Sequence, residues 1–252
     1  MTSRLLGVDF VPSYQSGNPD RPVSEVVEAK PAPVSAKAPI FVAVDDRRSS
    51  ARAALEALRE QYIADAPHQH FVTDHHSIVF GEGDPCARLM FIGEAPGAEE
   101  DRTGRPFVGP AGQLLDKMIA AMGLGREDVY IANVLKTRPP NNATPTTEEA
   151  RLCAPYLFEQ IRIISPEAIV TLGRPASQLL LGTTESMGRL RGHWAQFPPP
   201  EPLAEVAGFD PIPVMPTYHP AYVLRQYTAD TRQRVWSDLQ QVMELLGLKA
   251  RA

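Results

Sequence analysis

Apolar positions along the chain alternate between two rhythms. Short runs at 88–92, 129–135 and 167–172 are nearly continuous and stop at glycine or polar residues, the signature of strands buried on both faces. Between them apolar residues return at helical spacing. Leu114, Leu115, Met118, Ile119 and Met122 form one such stripe before Gly123 and Gly125. Thr147, with Glu149 close behind, opens a helix through Ile164, and residues 175–181 form another, closed by Gly182. Residues 213–216 then lead into Thr217, Tyr218 and His219, and a helix over 231–246 stops at Gly247. Upstream, Ser49 and Ser50 can cap a helix carrying Ala54, Leu55, Leu58 and Tyr62 on one face and ending before Pro67.

Strands alternating with helices predict an α/β fold, a mostly parallel sheet with helices on both faces, hence three layers. Ligands of such sheets sit at the carboxyl ends of the strands. Residues 1–39 carry no period, and Pro31, Pro33 and Pro39 interrupt an Ala/Val-rich stretch, so residues 1–48 are predicted to be a disordered Pro/Ala-rich arm before one domain at 49–252. Residues 197–216 are proline-rich and predict an irregular surface excursion.

Composition narrows the class. With 43% apolar and 22% charged residues in 252, the chain is globular, and no run approaches the roughly 18 apolar residues of a membrane span. The first ten residues lack a secretory pattern, which predicts a cytoplasmic protein without membrane partners. The net charge is −5 and residues 1–50 are neutral, so a nucleic-acid contact needs a focused basic patch on an acidic body. Cys86 and Cys153 are the two cysteines, too few for a four-cysteine metal cluster.

Three loops at the predicted strand ends hold the chemistry. The first runs from Gly93 through Glu94, Ala95 and Glu100 to Phe107 and Gly109. It lacks the Lys-Ser or Lys-Thr pair of a phosphate loop, and its aromatic suits stacking on a flat ligand. The second places Asn133 at the end of an apolar run, followed by Lys136, Arg138, Pro139, Pro140, Asn141 and Asn142. An asparagine amide both donates and accepts, as reading a base edge requires. The third is Thr217, Tyr218, His219, Pro220, Ala221, Tyr222, Val223, Leu224, Arg225.

These strings, together with Arg191 and Gly192 before Trp194, resemble the uracil-DNA glycosylase superfamily from about Val79 to Leu246, and most closely its family four, the mainly bacterial and archaeal iron-sulfur branch. The resemblance implies a central four-stranded parallel sheet and a pocket for a flipped uracil. It implies that Glu94 and Glu100 orient or activate the attacking water and that His219 hydrogen-bonds uracil O2. By the same match Phe107 stacks under the base and Asn133 reads its edge, with Gly93, Ala95 and Pro220 completing the pocket. Lys136, Arg138 and Arg191 would meet DNA, and Val223, Leu224 and Arg225 would enter the duplex where the base has left. The implied reaction is hydrolysis of the N-glycosidic bond of uracil in single- or double-stranded DNA, leaving an abasic site in base excision repair. No lysine is placed for a lyase step. The predicted protein is a nucleoid-associated monomer whose arm could tether a repair partner.

The departures also predict something. Family four holds its cluster with four cysteines, whereas here Thr137 follows Lys136, no cysteine precedes Val79, and only Cys153 stands at a ligand position. A cluster-free relative without a metal or other cofactor is expected. His68, His70, His75 and His76 lie near the missing pair, and a replacement zinc site with Cys153 competes there with exposed loop histidines. Ala143 stands where the family often has Arg. A covalent-trapping branch is disfavoured because residues 136–147 contain no His. The alternative from another class is a catalytically weak or inactive glycosylase-like scaffold that binds DNA.

Overall fold

A computed structural model describes residues 41–198 and 210–250. The predicted arm up to residue 40 and most of the proline-rich excursion lie outside the described residues.

Six strands form one sheet: β1 (Glu82–Gly83), β2 (Leu89–Gly93), β3 (Tyr130–Asn133), β4 (Ala168–Leu172), β5 (Ala195–Phe197) and β6 (Ile212–Thr217), in the order β1-β3-β2-β4-β6-β5. The inner four are parallel, as expected, and β1 and β5 add short antiparallel edges. The expected count of four is thus corrected to six. Two- and three-residue edge strands are too short to show a period of two.

Among the described residues the α-helices are α1 (Phe41–Asp65), α2 (Ala98–Thr103), α3 (Pro110–Ala121), α4 (Thr147–Ile164), α5 (Arg174–Leu181), α6 (Met187–Leu190), α7 (Pro220–Arg225) and α8 (Ala229–Leu246). α1 begins at Phe41, inside the segment predicted to belong to the arm. Three of these helices start where their sequence dictates. Thr146 and Glu149 form a capping box on α4, the Thr228 side chain accepts from the Thr231 amide on α8, and Pro110 occupies the first turn of α3.

Alternation along β2 divides the core. Met90 and Ile92 join Leu55, Leu58, Leu157 and Ile161 on the α1/α4 face. Leu89 and Phe91 join Leu115, Met118, Val235 and Leu239 on the α3/α8 face. Register then positions the site, because Gly93 pairs with Asn133 at the carboxyl ends of β2 and β3. Among the described residues no helix is long and apolar enough to cross a membrane.

Candidate active site

A pocket of about 360 Å³ opens at those strand ends. Its walls include Glu94, Ala95, Glu100, Phe107, Asn133, His219 and Arg225, so the structure brings together residues from all three loops singled out in the sequence. Gly93 lies beneath them. A Cβ there would come within 2.4 Å of both Asn133 Oδ1 and the Phe107 ring, so only glycine lets the aromatic and the amide share the pocket floor. Pro220 is buried in the first turn of α7 and is not among the residues that line the pocket.

Phe107 is 5% exposed and takes a left-handed φ of 51°, uncommon for an aromatic residue. Glu100 explains how the loop holds it there. One carboxylate oxygen accepts from the Val108 and Gly109 amides at 2.8 Å each, and the other accepts from Gly97 at 3.1 Å. This carboxylate therefore organises the stacking loop. Glu94 is different: burial raises its pKa above the ordinary carboxylate range, opposed by a hydrogen bond with Thr144 and by the charge of Arg174.

His219 caps α7, its Nδ1 accepting from the Ala221 amide at 3.1 Å. The ring proton is thereby assigned to Nε2. Burial, aided by Arg225, lowers the His219 pKa to about 4, so the ring is a neutral Nε2–H donor at neutral pH. The ring lies 5.5 Å from that of Phe107. Asn133 completes the set: it is 1% exposed, and neither Oδ1 nor Nδ2 has a hydrogen-bond partner. A buried amide with both ends unpaired costs roughly 1 to 3 kcal/mol per group, so the pocket is built around a ligand that satisfies it.

The predicted DNA contacts divide sharply. Lys136 has no exposed surface and donates inward, so its assignment to DNA is corrected: no phosphate can reach it. Arg191 is bound through both ends of its guanidinium to buried Asp238, donates to the Arg234 carbonyl at 2.9 Å and lies over Tyr218, which makes it a brace between α6 and α8. Arg138 divides itself between Asn142 Oδ1 at 2.8 Å and Asp74 at 3.7 Å. Val223 is fully buried in the α3/α8 core and cannot enter a duplex, a second correction. Leu224 and Arg225 are exposed, joined by Tyr222 and Tyr227, which were not singled out for DNA contact.

Asn142 and Thr144 also line the pocket, though neither was named as a site residue. Asn141 and Asn142 both take left-handed backbone angles, with φ of 54° and 53°. Asparagine tolerates that region better than most residues, and the Asn-Asn pair after two prolines was the available signal.

The iron-sulfur cluster implied by the resemblance does not fit the residues present. Cys153 is fully buried, and its neighbours include the Lys136 ammonium and the Tyr62 phenol. One thiol beside a cation is a poor home for iron, which needs several thiolates. Burial holds the thiol itself above its usual pKa. Cys86 lies in a turn whose amide bonds to Asp84. His68 is stacked 5.6 Å from the Tyr62 ring and meets the His75 ring edge-on at 4.9 Å. Among the described residues no group of three or more His, Cys, Asp or Glu could hold a metal. Purified protein is expected to be colourless and to contain less than about one iron per chain. Visible absorption with stoichiometric iron and sulfide would contradict this.

Against family profiles, residues 80–240 match the Uracil DNA glycosylase superfamily. The chain is 43% identical over 171 residues to the type-4 uracil-DNA glycosylase of Thermotoga maritima, covering 68% of this chain and 83% of that protein. It is 44% identical over 174 residues to the type-4 enzyme of Saccharolobus solfataricus, covering 67% and 76%. A type-5 uracil-DNA glycosylase of Pyrobaculum aerophilum is 39% identical over 114 residues, covering 39% of this chain and 50% of that protein.

Proposed function

Because the chain belongs to the uracil DNA glycosylase superfamily and is a glycosylase of DNA repair, we propose that it flips uracil into the pocket between Phe107 and His219 and hydrolyses its N-glycosidic bond, leaving an abasic site without strand cleavage. The unpaired Asn133 amide carries this reading. Nδ2 can donate to uracil O4 and Oδ1 can accept from N3–H, whereas cytosine reverses both. Phe107 offers its face to the ring. The His219 Nε2–H donates to O2, where negative charge grows as the bond to C1′ breaks. The bonding electron pair leaves with uracil, water adds to C1′, and Glu94 takes the water proton. Glu100 holds the stacking loop and leaves the base role to Glu94. Leu224 and Tyr222 are the exposed apolar side chains suited to the gap left in the base stack.

A raised carboxyl pKa at Glu94 has a pH signature. Excision needs the ionised form, so the single-turnover rate should climb with pH through an apparent pKa above the ordinary carboxylate range. Glu94→Gln should be slower by about two orders of magnitude and lose this acid limb. A limb that persists in the variant would assign the base elsewhere. The reading as a whole is tested by incubating protein with uracil-containing single- and double-stranded oligonucleotides and resolving alkali-cleaved products. Excision is expected, and no excision on either strand form would favour the scaffold alternative.

A further inference from the structure

Lys136 follows the base-reading asparagine by three residues, yet it is walled off from solvent. Among the described residues it is the one lysine or arginine classed as buried. Its Nζ donates to the Asn133 carbonyl at 2.8 Å and to Gln160 Oε1 at 2.5 Å, and lies 5.3 Å from the centre of the Phe80 ring. Gln160 is oriented for this task, since its Nε2 donates to the Phe80 carbonyl at 2.9 Å and faces the Tyr130 hydroxyl at 3.4 Å. Two carbonyl oxygens and a ring face together match the three N–H bonds of an ammonium. Burial pulls the Lys136 pKa down to about 7, with Cys153 acting in the opposite direction, so the ammonium is present below that pH and is lost as pH rises through it.

Pocket electrostatics give such a charge a purpose. Uracil must leave as an anion into a site lined by Glu94 and Glu100, where His219 is neutral and, among the described residues, Arg225 is the only cation on the wall. We propose that Lys136 is a positioning residue for this excision, its buried ammonium polarising the Asn133 end of the pocket toward the departing uracil anion. The field acts through Asn133, in a medium where charges are screened far less than in water. This rests on the excision chemistry proposed above and adds to it the source of positive charge.

The test compares two leaving groups. Fluorine at C5 is scarcely larger than hydrogen and makes the departing base more acidic, so 5-fluorouracil depends less on outside stabilisation. Single-turnover excision of uracil and of 5-fluorouracil from matched oligonucleotides is measured for wild type, Lys136→Met and Gln160→Glu. The methionine variant removes the charge. The glutamate variant keeps a hydrogen-bonding partner but sets a counter-charge against the ammonium, which protects the comparison if Lys136→Met folds poorly. Both variants should slow uracil excision, Lys136→Met by roughly 30-fold, and slow 5-fluorouracil excision several-fold less. Equal losses on the two bases would overturn the proposal and leave Lys136 a packing residue. Failure of wild type to excise either base would instead remove the excision reading on which it rests.

Discussion

Replacing His219 by alanine should slow single-turnover excision of uracil by roughly two to three orders of magnitude while leaving DNA affinity within a few-fold, as losing one preorganised oxyanion donor typically costs about 3 to 4 kcal/mol. The tautomer makes this the most exposed point of the mechanism. Nδ1 is committed to the Ala221 amide, so Nε2–H is the sole donor the ring can offer. With the pKa lowered to about 4, the ring stays neutral through the physiological range, and the donor is an imidazole that does not have to lose a proton first. The loss should fall on the chemical step and not on binding, because the bond to O2 strengthens only as charge develops. Wild-type single-turnover rates in His219→Ala would refute the assignment. A parallel loss of the α7 cap is checked by thermal melting, where a cap deletion costs about 1 kcal/mol.

Asn133→Asp is expected to act on base choice. An ionised aspartate can only accept, so it faces uracil O4 with a second acceptor and keeps one of two contacts. Uracil excision should fall by about two orders of magnitude, since a site built to pair with a polar edge discriminates strongly when a partner is wrong. Cytosine, whose exocyclic amine donates, should gain relative to uracil. The amide has no protein partner to lose, so the change is aimed at the ligand and not at the fold. An unchanged uracil-to-cytosine ratio, measured as single-turnover rates on matched oligonucleotides, would mean that Asn133 does not read the edge.

Much of this site could be read from the sequence because the strands that carry it are apolar on both faces. The run ending at Gly93 and the run ending at Asn133 announce where the sheet stops, and a parallel sheet fixes which end binds. Other features left no such trace. α2 falls inside the loop expected from Gly93 to Gly109, because a six-residue helix whose one buried residue is Asp101 carries no apolar stripe and looks polar throughout. The family match misled at Lys136, and only the tertiary placement of Gln160, 24 residues away, shows an internal partner. Val223 and Leu224 look alike in sequence. A helical turn sends the first into the core and the second outward, and the short α7 was not anticipated. The roles of the two loop glutamates also needed coordinates, because it is the Val108 and Gly109 amides that separate Glu100 from Glu94.

One helix joins two tasks that could have been built separately. His219 starts α7 as its cap, and Leu224 lies five residues further on, with Val223 anchoring the turn in the core. At about 1.5 Å of rise per residue, helix geometry sets their offset at about 7.5 Å along the axis. The offset behaves as a ruler. On the roles proposed above, a strand held with Leu224 in its base stack would have its extruded nucleotide registered against His219 by the helix itself. Lengthening α7 by a single residue would rotate the wedge by about 100° and move the two marks apart, uncoupling extrusion from bond cleavage.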